Sequence, residues 1–234
     1  MRRAAPLLAN ETYHIYNRGA HKQDIFTSEW DYQRFAILLY LSNSSRSLHL
    51  SNLLANKKYQ GPSLLKLFED DLADKELVDI FAYCLMPNHF HLILQPKTDT
   101  ALPQFMKKLL TAYSMYFNTK YEHSGVLFQG RFKSVHIDSN DYFRYLFTYV
   151  HLNPFDLFEP GWKERGFAEY DKARDFLNTY AHSSFADYCG PQQRPQSAIL
   201  ALESAPDFLK TQNDLESLFI YHQETHQQGR SLLV

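Results

Sequence analysis

Two apolar runs, 78–85 "VDIFAYCL" and 89–95 "HFHLILQ", are joined only by Met86-Pro87-Asn88. Runs of this length bounded by a Pro-Asn turn read as strands of a β-hairpin. Both are apolar enough to be buried, so the rest of the chain has to cover this hairpin. The second strand carries His89 and His91 within the run. Side chains alternate across a strand, so the two imidazoles share one face while Phe90, Leu92 and Leu94 point into a core. Twice the strand rise sets them about 7 Å apart, a separation that rotamers can converge on one ion. With 11 histidines in 234 residues, chance supplies roughly half of one such H-x-H pair, so spacing alone leaves metal binding and ordinary packing both open.

Around the hairpin the chain alternates. Residues 12–17, "TYHIYN", alternate and are β-prone, and a turn follows at "NRG". "TSEWDYQRFAILLYLSN" predicts a helix capped by Thr27 or Ser28, with Phe35, Leu38 and Leu39 at helical spacing. Residues 42–76 are irregular, with a short acidic helix expected in "SLLKLFEDDLADKEL". Residues 100–121 predict an amphipathic helix with Phe105, Leu109, Ala112 and Tyr116 on one face. "KSVHID" predicts a short strand. A helix then runs from an Asp138 or Ser139 cap to about 152, before Pro154. The tail from 160 reads as mostly helical, with breaks at Gly190-Pro191 and Pro206. The order strand–helix–strand–strand–helix–strand–helix predicts an α+β fold, an antiparallel sheet with helices packed on it, and a helical C-terminal extension.

Only two cysteines, Cys84 and Cys189, occur, which fits a reducing, cytoplasmic compartment. The apolar stretch near the start stops at Leu8, too short for a secretory leader, and no run of about 18 apolar residues spans a membrane. The formal charge of −2 argues nothing for nucleic acid, but its distribution does. Segment 101–135 carries Lys107, Lys108, Lys120, Arg131 and Lys133 against the single acid Glu122, interleaved with Tyr113, Tyr116, Phe117, Tyr121, Phe128 and Phe132. Bases contact phosphates and aromatic rings stack on unpaired nucleobases. The same residues also fit a solvated helix face above a packed core. Arg18, after the first strand, and the glycine-bracketed Gln129-Gly130-Arg131 extend the candidate DNA contacts, while "FEDDLADKE" is expected to lie away from them.

A metal site needs a third ligand, and a phosphate-directed site needs a nucleophile. "NDYFRYLFTYVHLNPF" offers both, since Tyr149 and Asn153 are i and i+4 on a helix and so lie one above the other. Tyr142 and Tyr145 continue the stripe. Half-buried packing would explain such a stripe equally well.

Five blocks in order, "YHIYNRG" (13–19), "CLMPNHFHLIL" (84–94), "GVLFQGRFKSVHI" (125–137), "YVHLNPF" (149–155) and "YAHSSFADYCG" (180–190), resemble the single-tyrosine HUH transposases, in particular the REP-associated tyrosine transposases. The pairing of "MPNHFH" with a downstream Y-x-x-x-N-P is the specific part. The resemblance implies a ferredoxin- or RRM-like HUH core over residues 1–160, with 42–76 as an insertion and 161–234 as the extension. It implies His89 and His91 as metal ligands and Tyr149 as nucleophile. Asn153 would be the third ligand, where insertion-sequence relatives carry a longer glutamine. Mg2+ or Mn2+ is the implied cofactor, and two imidazoles favour Mn2+. The implied reaction is cleavage and rejoining of single-stranded DNA with hairpins through a 5′-phosphotyrosine. Relatives include helix-swapped dimers and monomers, and the long tail favours a monomer here. Two rivals remain: a hairpin DNA or RNA binding module that no longer cuts, and a zinc hydrolase, against which the absence of H-E-x-x-H and C-x-x-C speaks. Tyr145 is the fallback nucleophile.

Overall fold

The structure is a computed structural model that describes residues 6–70, 72, 75–162, 170–189 and 194–207. Strands β1 (Thr12–Arg18), β2 (Val78–Met86), β3 (His89–Pro96) and β4 (Lys133–Ile137) form one antiparallel sheet in the order β2-β3-β1-β4. Helices α1 (Glu29–Ser42), α2 (Leu50–Leu54), α3 (Ala101–Tyr121) and α4 (Asn140–Leu152) complete the main elements. The α+β class, the hairpin and the helix after each of β1, β3 and β4 agree with the sequence reading.

Alternation along the strands divides the sheet between two cores. On one face Tyr13, Ile15, Phe90, Leu92 and Leu94 pack with Phe35 and Leu38 of α1 and Leu102, Phe105 and Leu109 of α3. On the other, Cys84, Met86 and Ile93 pack with Phe143, Leu146, Phe147 and Val150 of α4. A register shift between Ile80 and Ala82 in β2 lets Phe81 join the α4 side. The histidine pair therefore shares its face with α4, and α1 and α3 lie behind the sheet.

Residues 43–76 extend the rear core. Leu50, Tyr59, Leu64, Leu67 and Phe68 are buried there beside α1 and α3. The expected acidic helix is corrected over its first part, which is a 3-10 helix, Gly61–Phe68, while residues 71, 73 and 74 lie outside the described residues. Asp70 instead ties the segment down, with Lys58 Nζ at 2.6 Å and its carbonyl accepting from the Tyr40 hydroxyl at 2.7 Å.

The chain after α4 closes one edge of the sheet. The Leu85 amide donates to the His182 carbonyl at 2.9 Å and the Ser184 amide to the Tyr83 carbonyl at 2.9 Å, so residues 182–184 pair with β2. The Tyr180 and Tyr188 hydroxyls donate to the carbonyls of Leu85 and Phe81 at 2.6 Å each. Arg194 bridges to Asp187 and donates to the Ser183 carbonyl at 2.8 Å. Backbone donors and acceptors that an edge strand would expose are thus satisfied within the chain. Helices Tyr170–Thr179 and Phe185–Cys189 meet the helical expectation for the tail, and the stretch from 208 onward lies outside the described residues.

Behind the sheet α1 and α3 are pinned by one carboxylate. Asp31 is fully buried and is the N3 residue of a capping box with Ser28. It accepts from the amides of Thr27 and Ser28 at 2.9 Å, the hydroxyls of Tyr116 and Tyr121 at 2.7 Å, and Lys120 Nζ at 2.7 Å. Burial alone would raise the Asp31 carboxyl, but the hydrogen bonds from Lys120, Tyr121, Tyr116 and Thr27 outweigh it and hold the group well below the usual carboxylate range. A carboxyl with a lowered folded-state pKa stabilises the fold above its unfolded value, near 4, and loses that contribution as pH falls toward the folded value. Asp31→Asn is expected to lose about 2 kcal/mol at pH 7. In urea unfolding at stepped pH, the gap between wild type and variant is expected to narrow below about pH 4.

Candidate functional site

The strand register assembles the site. Across β1 and β3, Tyr16 pairs with His91 and Arg18 with His89, while β4 sets Lys133 opposite Tyr16. Directly paired residues share a face, so Lys133, Tyr16 and His91 form one row and Arg18 and His89 the next, with His14 behind Tyr16. Sequence reasoning put His89 and His91 on one face and left Arg18 and Lys133 as separate candidates; pairing brings the four to one surface. It did not single out His14 or Tyr16, whose alternation in "TYHIYN" shows that they share a face but not what lies opposite.

His91 is buried and His89 half-buried. Their rings stand perpendicular with centroids 5.0 Å apart. His91 Nδ1 lies 2.8 Å from His14 Nε2, and the two rings are nearly parallel at 5.0 Å. His89 Nδ1 lies 2.6 Å from Asn88 Oδ1 in the hairpin turn. Nδ1 is engaged in both candidate ligands, so an ion would be bound through Nε2. A hydrogen bond behind each imidazole is the usual arrangement for metal-binding histidines. Burial lowers the pKa of His14 to about 3, so it stays neutral at physiological pH.

Helix α4 crosses this surface and brings Tyr149 to it. Ser139 caps the helix by accepting from the Tyr142 amide at 3.3 Å. Tyr149 is half-buried; its ring meets His91 edge-on at 5.6 Å and His14 at 6.3 Å. Tyr145 is buried, and burial raises its hydroxyl pKa, with Tyr149 and Tyr142 adding to the shift. Burial also raises the Tyr16 pKa, with the Tyr149 hydroxyl adding to the shift.

Asn153 ends α4 and is buried. Its backbone amide and its Nδ2 both donate to the Tyr149 carbonyl, at 3.1 and 3.0 Å. Any ligation would therefore use Oδ1. Among the described residues no group of three or more His, Cys, Asp or Glu side chains is placed to hold a metal. Two imidazoles with supporting hydrogen bonds fit an exchangeable divalent ion that completes its shell with water and phosphate oxygens, and do not fit a closed structural zinc site.

The remaining basic candidates separate by face. Lys133 is exposed with Nζ 5.6 Å from the centre of the Tyr16 ring, and exposed Arg18 bonds through Nε to Gln129 Oε1. Arg131 is exposed in the adjoining loop, where the Gly130 carbonyl accepts from Asn17 Nδ2 at 3.2 Å. Lys107, Lys108 and Lys120 sit on α3, behind the sheet. Lys108 holds the carbonyls of Ser44 and Arg46 at 2.5 and 2.7 Å, and Lys120 holds Asp31, so both serve the fold. A groove of about 650 Å³ along β4 includes Tyr13, Tyr16, Phe132, Lys133 and His136 in its wall and adjoins the site through Tyr16 and Lys133.

A family profile described as "Transposase IS200 like" matches residues 9–153, more than half of the chain. The chain belongs to this family of HUH-type, DNA-binding transposases. Among solved structures, one described as "Structure of the REP associates tyrosine transposase bound to a REP hairpin" is similar at 13% identity, covering 84% of this chain and 88% of that chain with a TM-score of 0.45. No match was found among curated protein sequences. No helix among the described residues is long and apolar enough to cross a membrane.

Gly19 closes the loop that carries Arg18 past the hairpin turn: its amide donates to the Asn88 carbonyl at 2.8 Å. A Cβ there would lie 2.1 Å from the Gln23 carbonyl oxygen, a backbone atom that cannot swing aside. Gly19→Ala is expected to cost at least about 1 kcal/mol in chemical unfolding and to disturb the His89 and Asn88 signals in NMR spectra.

Proposed function

We propose that this protein cuts and rejoins single-stranded DNA carrying hairpins, through a covalent 5′-phosphotyrosine at Tyr149. The observation that carries this reading is the edge-on meeting of Tyr149 and His91 at 5.6 Å within one chain, on the face that also presents His89, Arg18 and Lys133.

His89 and His91, with Asn153 as third donor through Oδ1, would hold Mg2+ or Mn2+, whose chemistry here is to draw charge from the oxygens of the scissile phosphate. The Tyr149 hydroxyl attacks phosphorus and the 3′-oxygen departs, leaving the 5′-phosphate on the phenol and a free 3′-OH. Rejoining is the reverse attack by that hydroxyl, or by one from another strand. Because the phosphodiester energy is kept in the covalent link, no external energy source is needed. Perpendicular packing against His91 orients the Tyr149 ring, and Asn153 braces the Tyr149 backbone carbonyl. Arg18 and Lys133 flank the imidazoles and offer charge to the neighbouring phosphates, while Tyr16 presents a ring on which an unpaired base can stack. Arg131 extends that edge. Lys107, Lys108 and Lys120 face away and are left out of the DNA path.

Incubation with Mn2+ and a labelled hairpin oligonucleotide is expected to give a protein–DNA adduct that survives denaturation and is lost in Tyr149→Phe but retained in Tyr145→Phe. Cleavage that persists in Tyr149→Phe would point to a hydrolase, and tight binding without an adduct across varied hairpins to a binding module. In salt titrations on single-stranded DNA, Arg18→Ala and Lys133→Ala are each expected to reduce the slope of log K against log salt by about 0.7, and Lys107→Ala to leave it unchanged.

A further inference from the structure

We propose that His14 is the positioning residue for His91: its Nε2 accepts the Nδ1–H of His91 and so holds that imidazole in the tautomer that presents Nε2 to a divalent cation. This rests on the reading of His89 and His91 as metal ligands.

The two ring nitrogens are 2.8 Å apart, so one proton lies between them. A neutral imidazole carries one N–H, and its other nitrogen is an acceptor. If His14 donates, His91 keeps its proton at Nε2, and that nitrogen has no lone pair for a metal. If His91 donates, its Nε2 has one. His14 is completely buried, and its Nδ1 has no hydrogen-bond partner among the described residues. That nitrogen is unsatisfied in both arrangements, so no second hydrogen bond on His14 biases the choice. The bias comes from whatever meets His91 at Nε2, and a cation there admits only the arrangement in which His14 accepts.

The two candidate ligands differ in this respect. His89 is backed by an amide oxygen, Asn88 Oδ1, which only accepts and so fixes His89 with its proton on Nδ1. His91 is backed by a group that can accept or donate. A carboxylate or carbonyl commonly stands behind a metal-bound imidazole and allows one tautomer only. With His14 in that place, His91 can be hydrogen-bonded in both the loaded and the empty protein. The near-parallel planes of the two imidazoles, 13° apart with centroids at 5.0 Å, suit an in-plane N–H···N bond, and the Tyr16 ring lies beside His14 at 5.2 Å and 24°.

The test is Mn2+ binding to the purified full chain without DNA, followed by electron paramagnetic resonance, with circular dichroism to compare folding. His14→Phe keeps a ring but removes the acceptor, and is expected to weaken Mn2+ binding by about 10- to 100-fold. His14→Gln restores an acceptor oxygen at similar reach, and is expected to recover affinity to within about threefold of wild type. Wild-type affinity in His14→Phe would overturn the proposal, whereas a wild-type protein that binds no Mn2+ would overturn the ligand reading beneath it. Should His14→Phe fail to fold, the wild type decides: nitrogen-15 NMR of the histidines with one equivalent of diamagnetic Zn2+ is expected to show His91 protonated at Nδ1 and His14 at Nδ1. A proton on His14 Nε2 in the loaded protein would overturn the assignment.

Discussion

The arrangement of the molecule depends on the pairing of β1 between β3 and β4. Strand registry has a period of two, so a slip by one residue on either side would carry His14, Tyr16 and Arg18 to the rear face and bring Tyr13 and Ile15 forward. The rear core resists that slip, because Tyr13 and Ile15 are buried among the side chains of α1 and α3. Hydrophobic packing on one side of the sheet thereby fixes polar geometry on the other. The rows that juxtapose Lys133, Tyr16 and His91, and Arg18 with His89, follow from where Ile15 and Leu92 are buried.

The same division explains which parts of the site were legible in the sequence. Local periodicity is enough to find the hairpin, α1, α3 and α4, and alternation within one strand is enough to put His89 and His91 on one face. The spacing of Tyr149 and Asn153 needs only helical geometry. His14 needed more, since its partner is 77 positions away and only the register names it. Its alternation with Tyr16 was visible, but a histidine in a β-prone segment is also a common packing residue.

The basic residues divide between the two faces of the sheet for a related reason. Lys107, Lys108 and Lys120 belong to an amphipathic helix, and a sequence shows which side of a helix is polar but not which side of the sheet the helix occupies. Two of the three are also consumed internally, Lys108 by the carbonyls of Ser44 and Arg46 and Lys120 by Asp31. Those partners come from a loop and from the start of another helix, where no local pattern announces them. The short acidic helix expected after residue 60 begins instead as a 3-10 helix, Gly61–Phe68. Asp70 serves as an anchor for Lys58 and Tyr40 instead.

The pairing of residues 182–184 with β2 has a mechanical side. His151, two positions after Tyr149, is fully buried with Nε2 2.7 Å from Ser184 Oγ, and Ser184 is itself bonded to the backbone of Tyr83. The helix that bears the phenol is therefore bolted at its far end to the same stretch that seals the sheet. Trading that helix with a neighbouring copy would mean prying the tail off first, so the lever that aims the phenol and the seam that shuts the sheet open or stay shut together.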